Sequence, residues 1–177
     1  KTELKSLYNR FPTLENFKEQ LEEKSQNYSA ENRKSLVTAL ENQYKGFQIS
    51  EATSTNISLL SNSKTFTITT GHQLNLFTGP LYFLYKIVSA INLCTTLKKE
   101  YPSYDFVPIY WMATEDHDFE EIRSVEVFQQ RFNWDTNETG AVGRMSTNGL
   151  EELKLAIRNL FGNESIPELD EFFDAYK

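Results

Sequence analysis

The chain holds only two histidines, and both lie in short stretches that could do chemistry: TTGHQLNLFTGP (Thr69–Pro80) and TEDHDFEE (Thr114–Glu121). An imidazole titrates near neutrality, so His72 and His117 can each act as general acid or base, or donate to a phosphate or carboxylate. Asp116 and Asp118 flank His117 and extend into an acidic run with Glu115, Glu120 and Glu121. Such a run can bind an amine or a cation, or orient the imidazole; it is also what a solvated helix start looks like, because the dipole favours acids there. Gly71 suits either a plain turn or close approach of backbone to a ligand. Lys86 can reach a phosphate or remain a rim lysine, and Trp111 can wall a pocket or join the core. His72, Asp116, His117 and Asp118 match no standard zinc spacing, so no metal is expected. Cys94 falls on an apolar helical stripe and reads as a packing residue.

These residues need elements to hold them. Up to residue 62 the chain reads as helical and polar. Thr13 is placed to cap a helix carrying Leu14, Phe17 and Leu21. A second helix is expected over Ala30–Tyr44, burying Leu36, Val37, Leu40 and Tyr44 and stopping at Gly46, and a weaker third over Ser50–Leu60. From residue 63 to 177 the character changes. TFTITT (Thr65–Thr70) is β-branched and aromatic and predicts a short buried strand. Thr78, Gly79 and Pro80 predict a helix start, followed by Leu84, Ile87, Val88, Ile91, Cys94 and Leu97 at helical spacing, with Lys98 and Lys99 suiting the C-terminal dipole. DFVPIYWM predicts a second strand. Strand, loop, helix, strand is the parallel crossover, so the expected class is α/β with an open Rossmann-like sheet. SVEVF suggests a third strand, RFNWDTNETGAVGRMST a loop or hairpin, and Leu150–Phe161 a helix.

In such a sheet, ligands bind at the carboxyl ends of the strands. The GHQ stretch leaves the first strand and TEDHDFEE leaves the second, so neighbouring strands would turn both histidines toward one crevice. The helix start after Thr78 adds unpaired N–H groups that suit an anion.

Bulk properties narrow the setting. A net charge of −7 disfavours nucleic acid and anionic membranes as partners. No apolar run nears the roughly 18 residues of a membrane span. One cysteine excludes an intrachain disulfide and suits a reducing cytoplasm. The phosphate loop GxxxxGK[ST] and the dinucleotide fingerprint GxGxxG are both absent.

TTGH resembles the H/T-x-G-H motif of nucleotidyltransferases and class I aminoacyl-tRNA synthetases, whose histidine contacts nucleotide phosphates. The longer segments TTGHQLNLFTGPLYFLYKIVSAI and PIYWMATEDHDFEEI, with YNRFPTLENF near the start, resemble the cysteine-adding enzyme family of bacillithiol biosynthesis. The resemblance covers this whole chain but only about the first third of a family member. It implies a fragment, with the rest of the core, an insertion and a coiled coil, through which a homodimer is possible, lying outside it.

The resemblance further implies amide formation between cysteine and the amine of glucosaminyl-malate, the last step of bacillithiol synthesis. It leaves the activating cofactor open, ATP or another nucleotide, since no KMSKS-type loop occurs here. Candidate catalytic residues are His72, Asp116, His117 and Asp118. Candidate substrate-binding residues are Gly71, Gln73, Thr78, Gly79, Lys86, Trp111 and Glu115. A nucleotidyltransferase proper and a non-catalytic anion-binding module are the alternatives.

Overall fold

A computed structural model describes residues 4–77, 79–162 and 166–175. The chain is α/β. Three helices, α1 (Leu14–Asn27), α2 (Ala30–Gln43) and α3 (Glu51–Leu59), precede a strand–helix–strand crossover of β1 (Thr65–Gln73), α4 (Leu81–Glu100) and β2 (Asp105–Ala113). The crossover makes β1 and β2 neighbours in a parallel two-stranded sheet. A one-turn helix α5 (Phe119–Ile122), a hairpin of β3 (Ser124–Val127) and β4 (Gln130–Asn133), then α6 (Leu150–Arg158) and α7 (Pro167–Asp174) complete the chain. Among the described residues no helix is long and apolar enough to cross a membrane.

The chain divides into two compact units, one of Lys1–Thr69 with Val88–Ile109 and one of Thr70–Ile87 with Tyr110–Lys177. In the first, the hydroxyls of Thr13, Ser29 and Ser50 each accept from a backbone N–H three residues on, which starts α1, α2 and α3; of these caps, Thr13 was the one expected. Leu21, Ile57, Leu60, Ala90, Cys94, Leu97 and Val107 are buried. So is Arg33, whose guanidinium donates to the carbonyls of Leu60 (3.2 Å), Ser63 (3.1 Å) and Thr65 (2.9 Å) between the rings of Tyr28 and Phe66. These bonds tie α2 to the turn between α3 and β1, where the last helical carbonyls otherwise lack donors. On α2 the predicted apolar positions Leu36, Val37 and Leu40 are only half-buried and Tyr44 is exposed. Lys98 closes the other end of the crossover, donating to the carbonyls of Pro102 and Tyr104 and pairing with Asp105 at 2.8 Å.

The stripe on α4 is buried only in part. Cys94 and Leu97 are covered, with burial pushing the Cys94 thiol up to about 11, whereas Leu84, Val88 and Ile91 are exposed. Helical spacing reports that a face is apolar; it does not say what covers it.

In the second unit, Leu76, Trp134, Leu150, Leu153, Ile157, Leu169 and Phe173 form one core cluster. Strands β3 and β4 pair antiparallel with Ser124 opposite Asn133 and Val127 opposite Gln130. The anticipated third strand therefore forms a local hairpin. Its two turn residues, Phe128 and Gln129, both take positive φ (50° and 63°). That is the geometry of the two-residue turn matching strand twist, normally built from Asn-Gly. On α7, Asp170 bridges Lys154 and Arg158 of α6, each at 2.8 Å. The Lys154 hydrogen bond foremost, and the charges of Arg158 and Lys154 after it, hold that carboxyl below its ordinary range.

Candidate active site around His72

The GHQ stretch belongs to the last three residues of β1 rather than to a loop after it. Gly71 permits this. A Cβ there would lie 3.0 Å from the Trp111 carbonyl oxygen and 3.1 Å from its Cβ, so the glycine lets β1 approach its neighbour closely. Lys86, from α4, donates its ammonium to the Gly71 carbonyl.

His72 follows, and its side chain is only 7% exposed. Both ring nitrogens are engaged. Nε2 lies 2.6 Å from the Tyr82 hydroxyl, on the first turn of α4. Nδ1 lies 2.9 Å from the Asn75 amide nitrogen and 3.0 Å from the Gln73 carbonyl oxygen. Asn75 also donates to that carbonyl at 2.9 Å. Phe83 packs edge-on against the imidazole, and Tyr110 donates to the His72 carbonyl at 3.2 Å. Partial burial raises the Tyr110 pKa.

The loop after β1 is shaped to present Asn75. Phe77 and Gly79 both adopt positive φ (55° and 61°). A Cβ on Gly79 would fall 2.7 Å from Asn75 Cγ, and the Gly79 N–H donates to the Leu76 carbonyl at 3.2 Å. Thr78 lies outside the described residues. Three groups expected to face an anion are thus already engaged within the chain: the His72 ring, the Gly79 N–H and the Lys86 ammonium.

A hydrogen bond joins the acidic stretch to the GHQ stretch, Gln73 donating its amide to Glu121. Its backbone is pinned from the other side. The N–H groups of Val142 and Gly143 donate to the carbonyls of Asp116 (2.8 Å) and Thr114 (2.9 Å). Gly143 is required there, because a Cβ would sit 2.4 Å from Thr114 Cβ. Asp116 and Asp118 serve local structure: Asp116 accepts from the Asp118 N–H at 2.8 Å, and Asp118 caps α5 by accepting from the Glu121 N–H at 3.2 Å. His117, Glu115 and Trp111 are exposed. Among the described residues, no group of three His, Cys, Asp or Glu is placed to hold a metal ion.

The structure thus gathers Gly71, His72, Gln73, Gly79 and Lys86 and links them to Glu121. No separate role was expected of Asn75, Tyr82 or Gly143, and Tyr110 was expected in the core. Tyr82 lies in the segment TTGHQLNLFTGPLYFLYKIVSAI that carries the family resemblance, and it sits in the first turn of α4.

A family model described as the bacillithiol biosynthesis BshC N-terminal Rossmann-like domain matches residues 1–174. Curated relatives each carry the name "Putative cysteine ligase BshC". The one from Flavobacterium psychrophilum is 65% identical over 151 residues, covering 85% of this chain and 28% of the relative. That from Christiangramia forsetii is 49% identical over 179 residues, covering 98% and 33%. That from Anoxybacillus flavithermus is 41% identical over 114 residues, covering 64% and 21%. The chain spans about a third or less of the length of these relatives, and it belongs to the BshC family.

Proposed function

We propose that the complete gene product is an amide-forming ligase that adds cysteine to the amine of glucosaminyl-malate, the closing step of bacillithiol synthesis. The observation carrying this reading is the 65% identity to a relative named as a cysteine ligase, over a span of 151 residues. The chemistry asks for an activated carboxyl and a base for the amine proton. We assign the anion-facing role to the His72 cluster, with Gly71, Gln73, Thr78, Gly79 and Lys86 shaping it. Asp116, His117 and Asp118 are assigned to bind and orient the incoming amine or the cysteine, with Glu115 and Trp111 beside them. The exposure of His117 supports that assignment, because its ring is open to a ligand. The reaction's setting is the cytoplasm, and self-association would run through parts of the protein beyond this chain.

Deletion of the gene, with low-molecular-weight thiols profiled by mass spectrometry, tests the reading. Loss of bacillithiol with accumulation of glucosaminyl-malate is expected. Normal bacillithiol without that accumulation contradicts it.

A further inference from the structure

His72 is buried, whereas Tyr82, whose hydroxyl shares a part-buried hydrogen bond with its Nε2, is a surface residue, 53% exposed. A ligand approaching this end of β1 can therefore meet the phenol hydroxyl, with the imidazole behind it.

The surroundings of Nδ1 give the pair a further property. One neighbour, the Gln73 carbonyl oxygen, can only accept; the other, the Asn75 amide nitrogen, can only donate. With the proton on Nδ1, the ring donates to Gln73 and accepts from the Tyr82 O–H at Nε2. With the proton on Nε2, Nδ1 accepts from Asn75 and Nε2–H donates to Tyr82. The imidazolium donates from both nitrogens, to Gln73 and to Tyr82. Every protonation state of the ring finds a partner at each nitrogen, which is what a buried group needs if it is to change state without leaving a polar atom unpaired.

Resting on the ligase reading, we propose that Tyr82 is a catalytic residue of the reaction and that His72 acts through it as a proton-accepting positioning residue. With the carboxyl activated as an acyl phosphate or acyl adenylate by a nucleoside triphosphate, the amine's lone pair forms the new C–N bond. The C–O bond to the phosphate breaks with the phosphate leaving on that bonding pair, and the amine's N–H bond breaks, its electrons staying on nitrogen. The proton passes to Tyr82 Oη while the hydroxyl's own proton passes to His72 Nε2. One O–H bond breaks and one forms, one N–H bond is made on the ring, and the charge settles on an imidazolium held by the Gln73 carbonyl. Asn75 keeps the ring in register, and Gly79 leaves space for Asn75.

The test uses the complete protein, purified and added to an extract of the deletion strain, so that the extract supplies the nucleoside triphosphate. Product formation is followed by mass spectrometry at varied cysteine concentrations. Tyr82→Phe removes only the hydroxyl. It should lower kcat by roughly 100-fold or more, the lower end of what a positioned acid–base group contributes, with KM within about three-fold. His72→Gln, which can hydrogen-bond but not take the proton, should show the same split. Tyr85→Phe, one helical turn's neighbour and outside the site, should stay within two-fold. Circular dichroism melting of each variant reports folding independently. A Tyr82→Phe kcat within three-fold of an active wild type overturns the relay, as does a loss confined to KM. No product from the wild type overturns the ligase reading and the relay with it.

Discussion

At the scale of single residues, the site is a chain of dependencies that begins with a residue lacking a side chain. Gly79 has positive φ and leaves no room for a Cβ beside Asn75. Asn75 touches Nδ1 of His72, and His72 holds Tyr82. Gly79→Ala should cost about 1–2 kcal/mol through the left-handed backbone alone and also push Asn75 away. Expected outcomes are a lower urea midpoint for the complete protein and a fall in ligation of at least ten-fold, read in the same extract assay. A variant with an unchanged midpoint and unchanged rate would show that Asn75 is not held by this contact. His72 stood out in the sequence as a candidate because histidine is scarce here and chemically versatile. The contact of Asn75 with its ring did not stand out. Its role depends on a loop folding back through Phe77 and Gly79, and a phenylalanine carries no signature of left-handed backbone. Arg33 was overlooked for a related reason: arginine reads as a surface type, and its burial follows from three carbonyls that only the folded turn brings together.

At the scale of elements, the helices and the crossover were legible because their signals are local. The cap at Thr13, a β-branched strand and a proline beside a helix start each act within a few residues. The end of β1 was misplaced because Gly71 reads as a breaker until its close approach to Trp111 is seen. The hairpin of β3 and β4 was hidden by its turn, since Phe128 and Gln129 occupy positions that Asn and Gly normally fill. Left-handed non-glycine residues of this kind cost on the order of 1–3 kcal/mol each. Replacing Phe128-Gln129 by Asn-Gly should therefore stabilise the hairpin by about 1–2 kcal/mol, less what is lost from the ring contact of Phe128 with Phe161. Native-state hydrogen exchange at the Val127 and Gln130 amides should slow by roughly ten-fold for each 1.4 kcal/mol gained. Faster exchange in the variant would mean that the Phe128–Phe161 contact outweighs the backbone strain.

At the scale of the whole molecule, family membership and internal geometry bear on different questions. Similarity over residues 1–174 assigns the family, and names of relatives motivate the ligase reading. The geometry then says which groups of this chain are in place and which are already engaged. Leu84, Val88 and Ile91, expected inside, are exposed. A chain spanning about a third or less of its relatives need not supply every surface against which its helices pack. The central claim, cysteine ligation, is tested most directly by adding isotopically labelled cysteine and the purified complete protein to an extract of the deletion strain supplied with glucosaminyl-malate. The account predicts that label enters bacillithiol only when the protein is present, as one cysteine per molecule joined through an amide. Label that stays in free cysteine, with glucosaminyl-malate undiminished, would contradict it.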